Sequence, residues 1–327
     1  TELDGWLLAA TGFRMITADG TWPETEITLR IVEDDDEPLN GLRATANYLN
    51  LDDIRYLLPW LGEERRALLA RYAPSGEVRD LALEILELPS GEPQYDIAAE
   101  FENAGFAAGD TVAGVRGFSG RVRADRSGGR VEMLAPGLVV DTADLLPEPM
   151  VFDEASGTVI WRRNRDGIIV LSDAVTIRNA DLESQMSLQI GIPDDATSPF
   201  IDFESSWQVF DLRSMQRYLP QKFIMPNLRQ WLVDAFVSGS VTRGTTRFTG
   251  QLDEFPFSGG EGVFRIEARL EDAVLRYSPN WPAPEFRHLE VIVDNMRLYS
   301  TENSAVNVGN VVEDARIDIP DLRAPVL

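Results

Sequence analysis

The chain of 327 residues carries 30 basic and 54 acidic side chains, a formal charge of −24, and 44% hydrophobic residues. That charge excludes a nucleic-acid surface, which needs clustered Lys and Arg to displace counterions, and disfavours lying flat on an anionic bilayer. Zero cysteines exclude disulfides, thiolate metal sites and a cysteine nucleophile, while the apolar content is enough for a sizeable core.

Basic charge is almost all arginine, with Lys222 the single lysine. No stretch approaches the ~18–20 uninterrupted apolar residues of a membrane-spanning helix. Thr1 opens the chain without a basic, then apolar, leader, so a piece of a longer protein is expected.

In chain order, period-two alternation first predicts strands over 27–31 and 42–48. The acidic run from Glu33 to Glu37 lacks the spacing of a calcium loop and reads as a solvated hairpin tip. Ile54, Leu57, Leu58, Leu61, Leu68 and Leu69 then recur at helical spacing from Asp52 to about Arg71, with Pro59 dividing the segment. Strands follow at 81–85, 95–102 and 118–124. In 95–102, Tyr95, Ile97, Ala99 and Phe101 oppose Asp96, Glu100 and Glu102. The run from Arg162 to Gly167 reads as a hairpin turn into a strand at 168–171.

In 182–190, Leu182, Met186, Leu188 and Ile190 oppose Glu183, Gln185 and Gln189. A second helical segment runs from about Leu212 to Phe236, broken between Pro220 and Pro226, with Asn227 expected as the N-cap of its last part. Strands return at 248–252, 264–271 and 289–293, and Ala315, Ile317 and Ile319 alternate with charged residues near the end. The pattern predicts a mainly β, mostly antiparallel chain with two short helical segments.

The chain also repeats itself. Arg55-Tyr56-Leu57 matches Arg217-Tyr218-Leu219 (55 to 217, offset 162), and Ser75-Gly76-Glu77-Val78 matches Ser238-Gly239-Ser240-Val241 (75 to 238, offset 163). Glu102-Asn103-Ala104 parallels Glu271-Asp272-Ala273 (102 to 271, offset 169). The expected organisation is therefore strands of a preceding repeat at 1–50, one unit of helical segment plus strands at 51–210, and a second at 211–327.

Other constellations carry little chemistry. His288 is the sole histidine and no G-x-S-x-G elbow accompanies it, so a hydrolytic triad is not expected. A zinc site would need carboxylates in place of Cys and further His. Gly259-Gly260-Glu261-Gly262 is turn chemistry without the strand-to-helix context of a phosphate loop. No enzyme, metal or cofactor is expected.

Residues 229–264 bear a resemblance to a known family. Trp231-Leu232, Ala235-Phe236, Gly239, Val241, Gly244, Phe248-Thr249-Gly250, Leu252, Phe255-Pro256-Phe257, Gly260-Glu261-Gly262 and Phe264 resemble the most distinctive block of YhdP-like proteins of the AsmA-like superfamily. Arg217-Tyr218-Leu219-Pro220 upstream, and Ala273-Val274-Leu275-Arg276-Tyr277 with Trp281-Pro282 downstream, extend the match to about 215–295. The resemblance implies a protein anchored in the inner membrane of a Gram-negative bacterium and crossing the periplasm. It implies an elongated, twisted antiparallel sheet curved into a U-shaped groove with an apolar concave face, likened to the chorein-type bridge proteins. Phospholipid transport between inner and outer membrane, and upkeep of the outer-membrane barrier, follow as the implied role, with no catalytic residues.

Such a surface suits the task physically. Hydrating two acyl chains costs ~0.8 kcal/mol per CH₂, on the order of 25 kcal/mol for roughly 30 groups, and a continuous apolar strip removes most of it. The residues expected to face the groove are Ile97, Phe101, Val122, Met186, Leu188, Phe264, Ile266, Leu270, Leu289 and Val291. The same alternation would also suit the sealed interior of a sandwich or barrel. Two other roles fit the pattern: a scaffold for outer-membrane biogenesis acting by strand addition at a sheet edge, or a glycan-binding sandwich using Trp6, Trp161 or Trp207 as platforms.

Overall fold

The computed structural model describes residues 4–18, 20–33, 41–60, 63–87, 93–109, 113–143, 145–221, 226–276, 278, 280, 282–301 and 303–323. The acidic run beyond Glu33, together with Leu61, Tyr277 and Trp281, lies outside them. The chain is mostly strand, the strands pair antiparallel, and they do not close into a barrel. Two compact units divide it, one of residues 1–143 with 155–164, the other of 144–154 with 165–327.

The first unit contains β1 (Asp4–Phe13), the short pair β2 (Ile16–Thr17) and β3 (Gly20–Thr21), then β4 (Thr25–Glu33) and β5 (Gly41–Asn50). A 3₁₀ segment (Leu51–Trp60) and α1 (Glu63–Tyr72) come next, followed by β6 (Ser75–Glu87), β7 (Pro93–Phe106), β8 (Gly114–Asp125) and β9 (Gly128–Asp141). Pairing runs β1–β4–β5–β6–β7–β8–β9. The next strand, β10 (Met150–Arg163), is divided between the two units.

In the second unit, β11 (Gly167–Arg178), β12 (Leu182–Pro193) and β13 (Phe200–Val209) precede a 3₁₀ segment (Leu212–Tyr218) and α2 (Pro226–Ala235). Then come β14 (Phe236–Gln251), β15 (Val263–Leu275), β16 (Glu285–Asp294), β17 (Arg297–Tyr299), β18 (Asn303–Asn307), β19 (Asn310–Glu313) and β20 (Asp318–Ile319). Here β11 to β16 pair in sequence order, β16 also takes β17 and β18, and these take β20 and β19.

Both helical segments are insertions between hydrogen-bonded neighbours, β5 with β6 and β13 with β14. Each opens on a side-chain cap: Asn50 accepts the Asp52 N–H at 2.9 Å, and Asp211 accepts the Arg213 N–H at 3.0 Å. The first stretch of each is 3₁₀ rather than α. Pro59 and Pro220 remove donors and restrict the residues before them, so a long α-helix is not available there. The last part of the second segment starts at Pro226, which places Asn227 inside α2 and not at its N-cap as expected. Proline suits that first position because its missing N–H has no intrahelical partner anyway.

The repeated motifs occupy equivalent places. Gly76 (φ +91°) and Gly239 (φ +119°) open β6 and β14 with left-handed backbone, each pressed on the strand opposite. A Cβ on either would lie 2.6 Å from the Cα of Ala104 or Ala273. The residues beside those alanines, Asn103 (φ 51°) and Asp272 (φ 49°), bulge in the same way. The helix ends are tied alike, Ala107 N–H donating to Tyr72 O at 2.7 Å and Arg276 N–H to Ala235 O at 3.0 Å.

Packing is concentrated at these helical ends. In the second unit Val209, Leu212, Val241, Leu270, Ala273, Leu275, Phe286, Leu289 and Ala305 form a buried cluster, with Trp207 and Met215 against it. In the first, the Trp22 indole donates to the Asp53 carboxylate at 2.6 Å, and Tyr48 meets Trp22 edge-on at 5.5 Å. Gly239→Ala, which forces a Cβ into Ala273 in a left-handed conformation, is expected to cost about 1–3 kcal/mol in denaturant unfolding. Gly191→Ala, in open space on β12, should stay within about 0.5 kcal/mol of the parent.

Candidate functional site

Register decides what each face of the second unit is made of. Ile190 lies opposite Val170 and Ile201; Leu188 lies opposite Ser172 and Phe203, which continues to Phe248 and Phe264. Met186 faces Val175 and Ser205, and that row continues through Thr246 and Ile266 to Val293. Ser184, Trp207, Gly244, Ala268 and Val291 form the next row, and Leu182, Val209, Val241, Leu270 and Leu289 the last. Because neighbours in a ladder point the same way, these rows make one continuous apolar face across β11 to β16.

Among the described residues the face is packed most deeply at its two borders. The last row is buried with Leu212 and Met215 of the 3₁₀ segment and with Phe286 and Ala305, Leu270 being 4% and Leu289 0% exposed. At the opposite strand ends the turn after β14 folds back, and Phe255 and Phe257 join Phe248 and Phe264 with ring centroids 5.1–6.3 Å apart. Between the borders Met186, Leu188, Ile201, Phe203, Ile266 and Val293 are half-buried, and Val291 is half-buried where it packs against the cluster at the helical border. Trp207 lies flat over Gly244, where a Cβ would come within 2.4 Å of the ring, and its indole donates to the Thr246 hydroxyl at 2.9 Å.

The first unit repeats the scheme. Leu8, Leu29, Ala44, Leu83, Ile97, Ala124 and Gly129 form one row across seven strands. Ala99, Val122 and Val131 form a second, and Phe101, Gly120 and Met133 a third. The expected Ile97, Phe101 and Val122 therefore share a face, as do Met186, Leu188, Phe264, Ile266 and Val291 in the second unit. Leu270 and Leu289 lie on that face too, but inside the packed cluster rather than on the open part.

Ile201, Phe203 and Val293, with Phe248 at the aromatic border, lie on the same face and are not among the residues expected there from sequence, although 248–252 and 289–293 are predicted strands. Residues 201–209 alternate as strictly as their neighbours, but Ser205 at an inward position blurs the contrast. Trp6, at 75% exposure, shares the inward row of Ile31 and Leu42. Trp207 packs on Gly244 and Trp161 on Gly129, so neither is a free-standing platform.

The other face is polar and paired. Arg265 contacts Glu267 at 2.7 Å and Asp294 at 2.9 Å, Arg269 contacts Glu271 at 2.9 Å, and Arg79 contacts Glu102 at 2.9 Å. The Glu267 hydrogen bond holds the Arg265 guanidinium above its usual range. A shallow depression of about 550 Å³ on this face has Asp173, Glu204, Arg247, Arg265 and Glu267 among its lining residues, with the two arginines already facing carboxylates. Near the helical border, burial pushes the Tyr218 phenol up, as does Asp181, to which it donates at 3.1 Å, while an Asn179 hydrogen bond opposes them. His288 lies opposite Glu271 and Ser304. Among the described residues no group of three or more Asp, Glu or His is placed to hold a metal ion.

The second unit is thus an antiparallel sheet with one largely apolar face and one face rich in paired charges. The chain belongs to the YhdP family: the profile of the YhdP protein matches residues 1–327. Intermembrane phospholipid transporter YhdP of Escherichia coli (strain K12) is 22% identical over 320 residues, 95% of this chain and 25% of that protein. The chain thus spans about a quarter of the length of this curated relative. No solved structure matches. No described helix is long and apolar enough to cross a membrane.

An open face and a sealed core respond differently to a buried hydroxyl. Leu270→Ser, in the packed cluster, is expected to cost about 3–5 kcal/mol in denaturant unfolding. Leu188→Ser, on the open part, should cost about 1 kcal/mol or less, since its site is already wet without a ligand. Equal costs at the two positions would mean that the face is sealed.

Proposed function

We propose that this chain is a segment of an intermembrane phospholipid carrier that shields acyl chains on the apolar faces of its two units. The observation that carries the reading is the set of largely apolar rows across β11 to β16, interrupted by hydroxyls at Ser205 and Thr246, packed at both strand ends and half-buried between them. Family membership and the relative's printed role support it. Met186, Leu188, Phe264, Ile266 and Val291, with Ile97, Phe101 and Val122 in the first unit, contact the chains. Leu270 and Leu289 shape the border beside the 3₁₀ segment.

The task is carriage and not catalysis. Aliphatic tails need only a dry surface, worth roughly 25 cal/mol per Å² of apolar area withdrawn from water. The charged headgroup stays hydrated, which removes the conflict between an anionic protein and an anionic cargo. The protein of which this chain is part works in the periplasm of a Gram-negative bacterium, anchored to the inner membrane elsewhere in its sequence. Each repeat, 51–210 and 211–327, adds a length of wall behind a helical segment.

A second reading rests on β19, an outlying strand whose Val311 and Val312 are 61% and 42% exposed. It is a place where another polypeptide could add as a strand in assembly of the outer membrane.

Photocrosslinking residues placed at Leu188, Ile266 and Val291 of the full-length protein in cells should capture phospholipid, and the same residue at Gln185 or Arg247 should not. Leu188→Asp with Ile266→Asp should lower co-purified lipid several-fold at unchanged fold content. Silence at all three inward positions, with polypeptide captured at Val311, would replace the carrier reading by the scaffold.

A further inference from the structure

The Phe255–Phe257 turn is built more firmly than a loop border requires. Phe257 is 1% exposed and seated against two glycines: a Cβ at Gly250 or Gly262 would fall 2.6 Å from its ring. Asn295, from the connection between β16 and β17, clamps the same turn. Its amide donates to Phe257 O and Gly262 O, both at 3.3 Å, and its side-chain oxygen accepts the Phe264 N–H at 2.7 Å. Phe255 rides on this base, stacked on Phe248 at 5.8 Å and edge-on to Phe264 at 5.2 Å, and stays half-buried. Phe248 and Phe264 continue directly into the open row of Phe203 and Leu188.

Within the two segments beside it the charge is one-sided, although Arg165 adjoins Asp166, whose carbonyl accepts the Asp194 N–H at 3.0 Å. Asp194, Asp195, Asp253, Glu254 and Glu261 are all exposed, and segments 194–199 and 251–262 contain no Lys or Arg. The two segments are tied together, Leu252 N–H donating to Pro199 O and Asp253 N–H to the Ser198 hydroxyl, both at 3.0 Å. At the helical border, by contrast, Arg213 pairs with Asp211 and Arg217 with Asp181. Arg229 of α2 is half-buried there, with its Nε enclosed and without a hydrogen-bond partner.

We infer that the Phe255–Phe257 turn is a fixed rest for acyl chains and that the carboxylates around it orient a bound phospholipid, its phosphate held at the α2 border. The inference rests on the carrier reading and adds to it a direction across the sheet. An anionic phosphate within a Debye length of five carboxylates is repelled. An aromatic shelf offers apolar area and no donor. Tails therefore meet Phe255, and the phosphate meets the border where Arg213, Arg217 and Arg229 balance Asp211, Asp181 and Asp234.

The test uses the full-length protein loaded with a phosphoethanolamine lipid carrying a photoreactive diazirine either in one acyl chain or on the headgroup, with labelled peptides mapped by mass spectrometry. The chain probe should label 252–257 together with Leu188 and Ile266, and the headgroup probe should label 226–235 and spare 252–261. Asp253→Lys with Glu254→Lys, both exposed, should raise headgroup labelling at 252–261 several-fold. Phe255→Ala should cut chain labelling there several-fold without changing the melting temperature by more than a few degrees, and Phe255→Met should restore it. Headgroup labelling of 252–261 as heavy as chain labelling overturns the orientation, and floor labelling that leaves 252–257 blank overturns the rest. Absence of floor labelling by either probe overturns the carrier reading itself.

Discussion

The second unit is organised around one largely apolar sheet face that, among the described residues, is packed most deeply at its borders. Sheets normally bury such a face against helices or another sheet, because exposed apolar area is costly and promotes association. Here Leu212 and Met215 of the 3₁₀ segment pack at one border of the second unit, and the Phe255–Phe257 turn at the other. Between the borders the strands are held by their own ladder pairing, broken locally by bulges such as those between Ser172 and Val175 and between Trp207 and Val209. Local stability is drawn from the borders, where Leu270, Ala273 and Leu289 are nearly or fully buried.

The polar face complements this arrangement. Its carboxylates outnumber its arginines, yet many arginines sit beside at least one carboxylate on the same or the next strand, as Arg79, Arg265 and Arg269 do. Such exposed pairs contribute only about 0–1 kcal/mol each, so they do not hold the fold together. What they do is keep one side of every strand firmly wet. A slip of one residue would turn Met186 and Leu188 outward and bring Gln185 and Gln189 onto the dry side, so the alternation itself fixes the register.

Most of the architecture was legible in the sequence because period-two alternation is a direct image of a two-faced sheet. Strands 95–102, 182–190 and 264–271 fall inside β7, β12 and β15 with the expected parity, and the motif offsets land on equivalent turns at Gly76 and Gly239. Parity alone could not tell how deep a position lies. Leu270 and Leu289 have the same alternation as Ile266, and the packing of Leu212, Phe286 and Ala305 around them separates core from the half-buried face. The Asn227 cap failed because Pro226 is itself a good first residue of a helix. Phe203 escaped notice because Ser205, an inward hydroxyl in the middle of the face, interrupts the apolar pattern that marks a strand, whereas Phe248 was placed in a strand without being assigned to the face. Asn295 carried no local signal at all, since its role is set by a loop some 30 positions earlier in the chain.

The ladder has one more property. Adjacent strands are separated by about 4.8 Å, so β11 to β16 place equivalent side chains at intervals of that size over roughly 24 Å. A flexible hydrocarbon lying across them touches several strands at once, and moving it by one interval exchanges each contact for another of the same kind. The energy along the path is corrugated by small steps instead of falling into a single well. Met186 and Leu188, Phe203, Thr246, Ile266 and Val291 differ in bulk and polarity by amounts that such an averaging contact smooths out. A hydrocarbon on a wall built this way would be gripped along its length yet free to creep sideways.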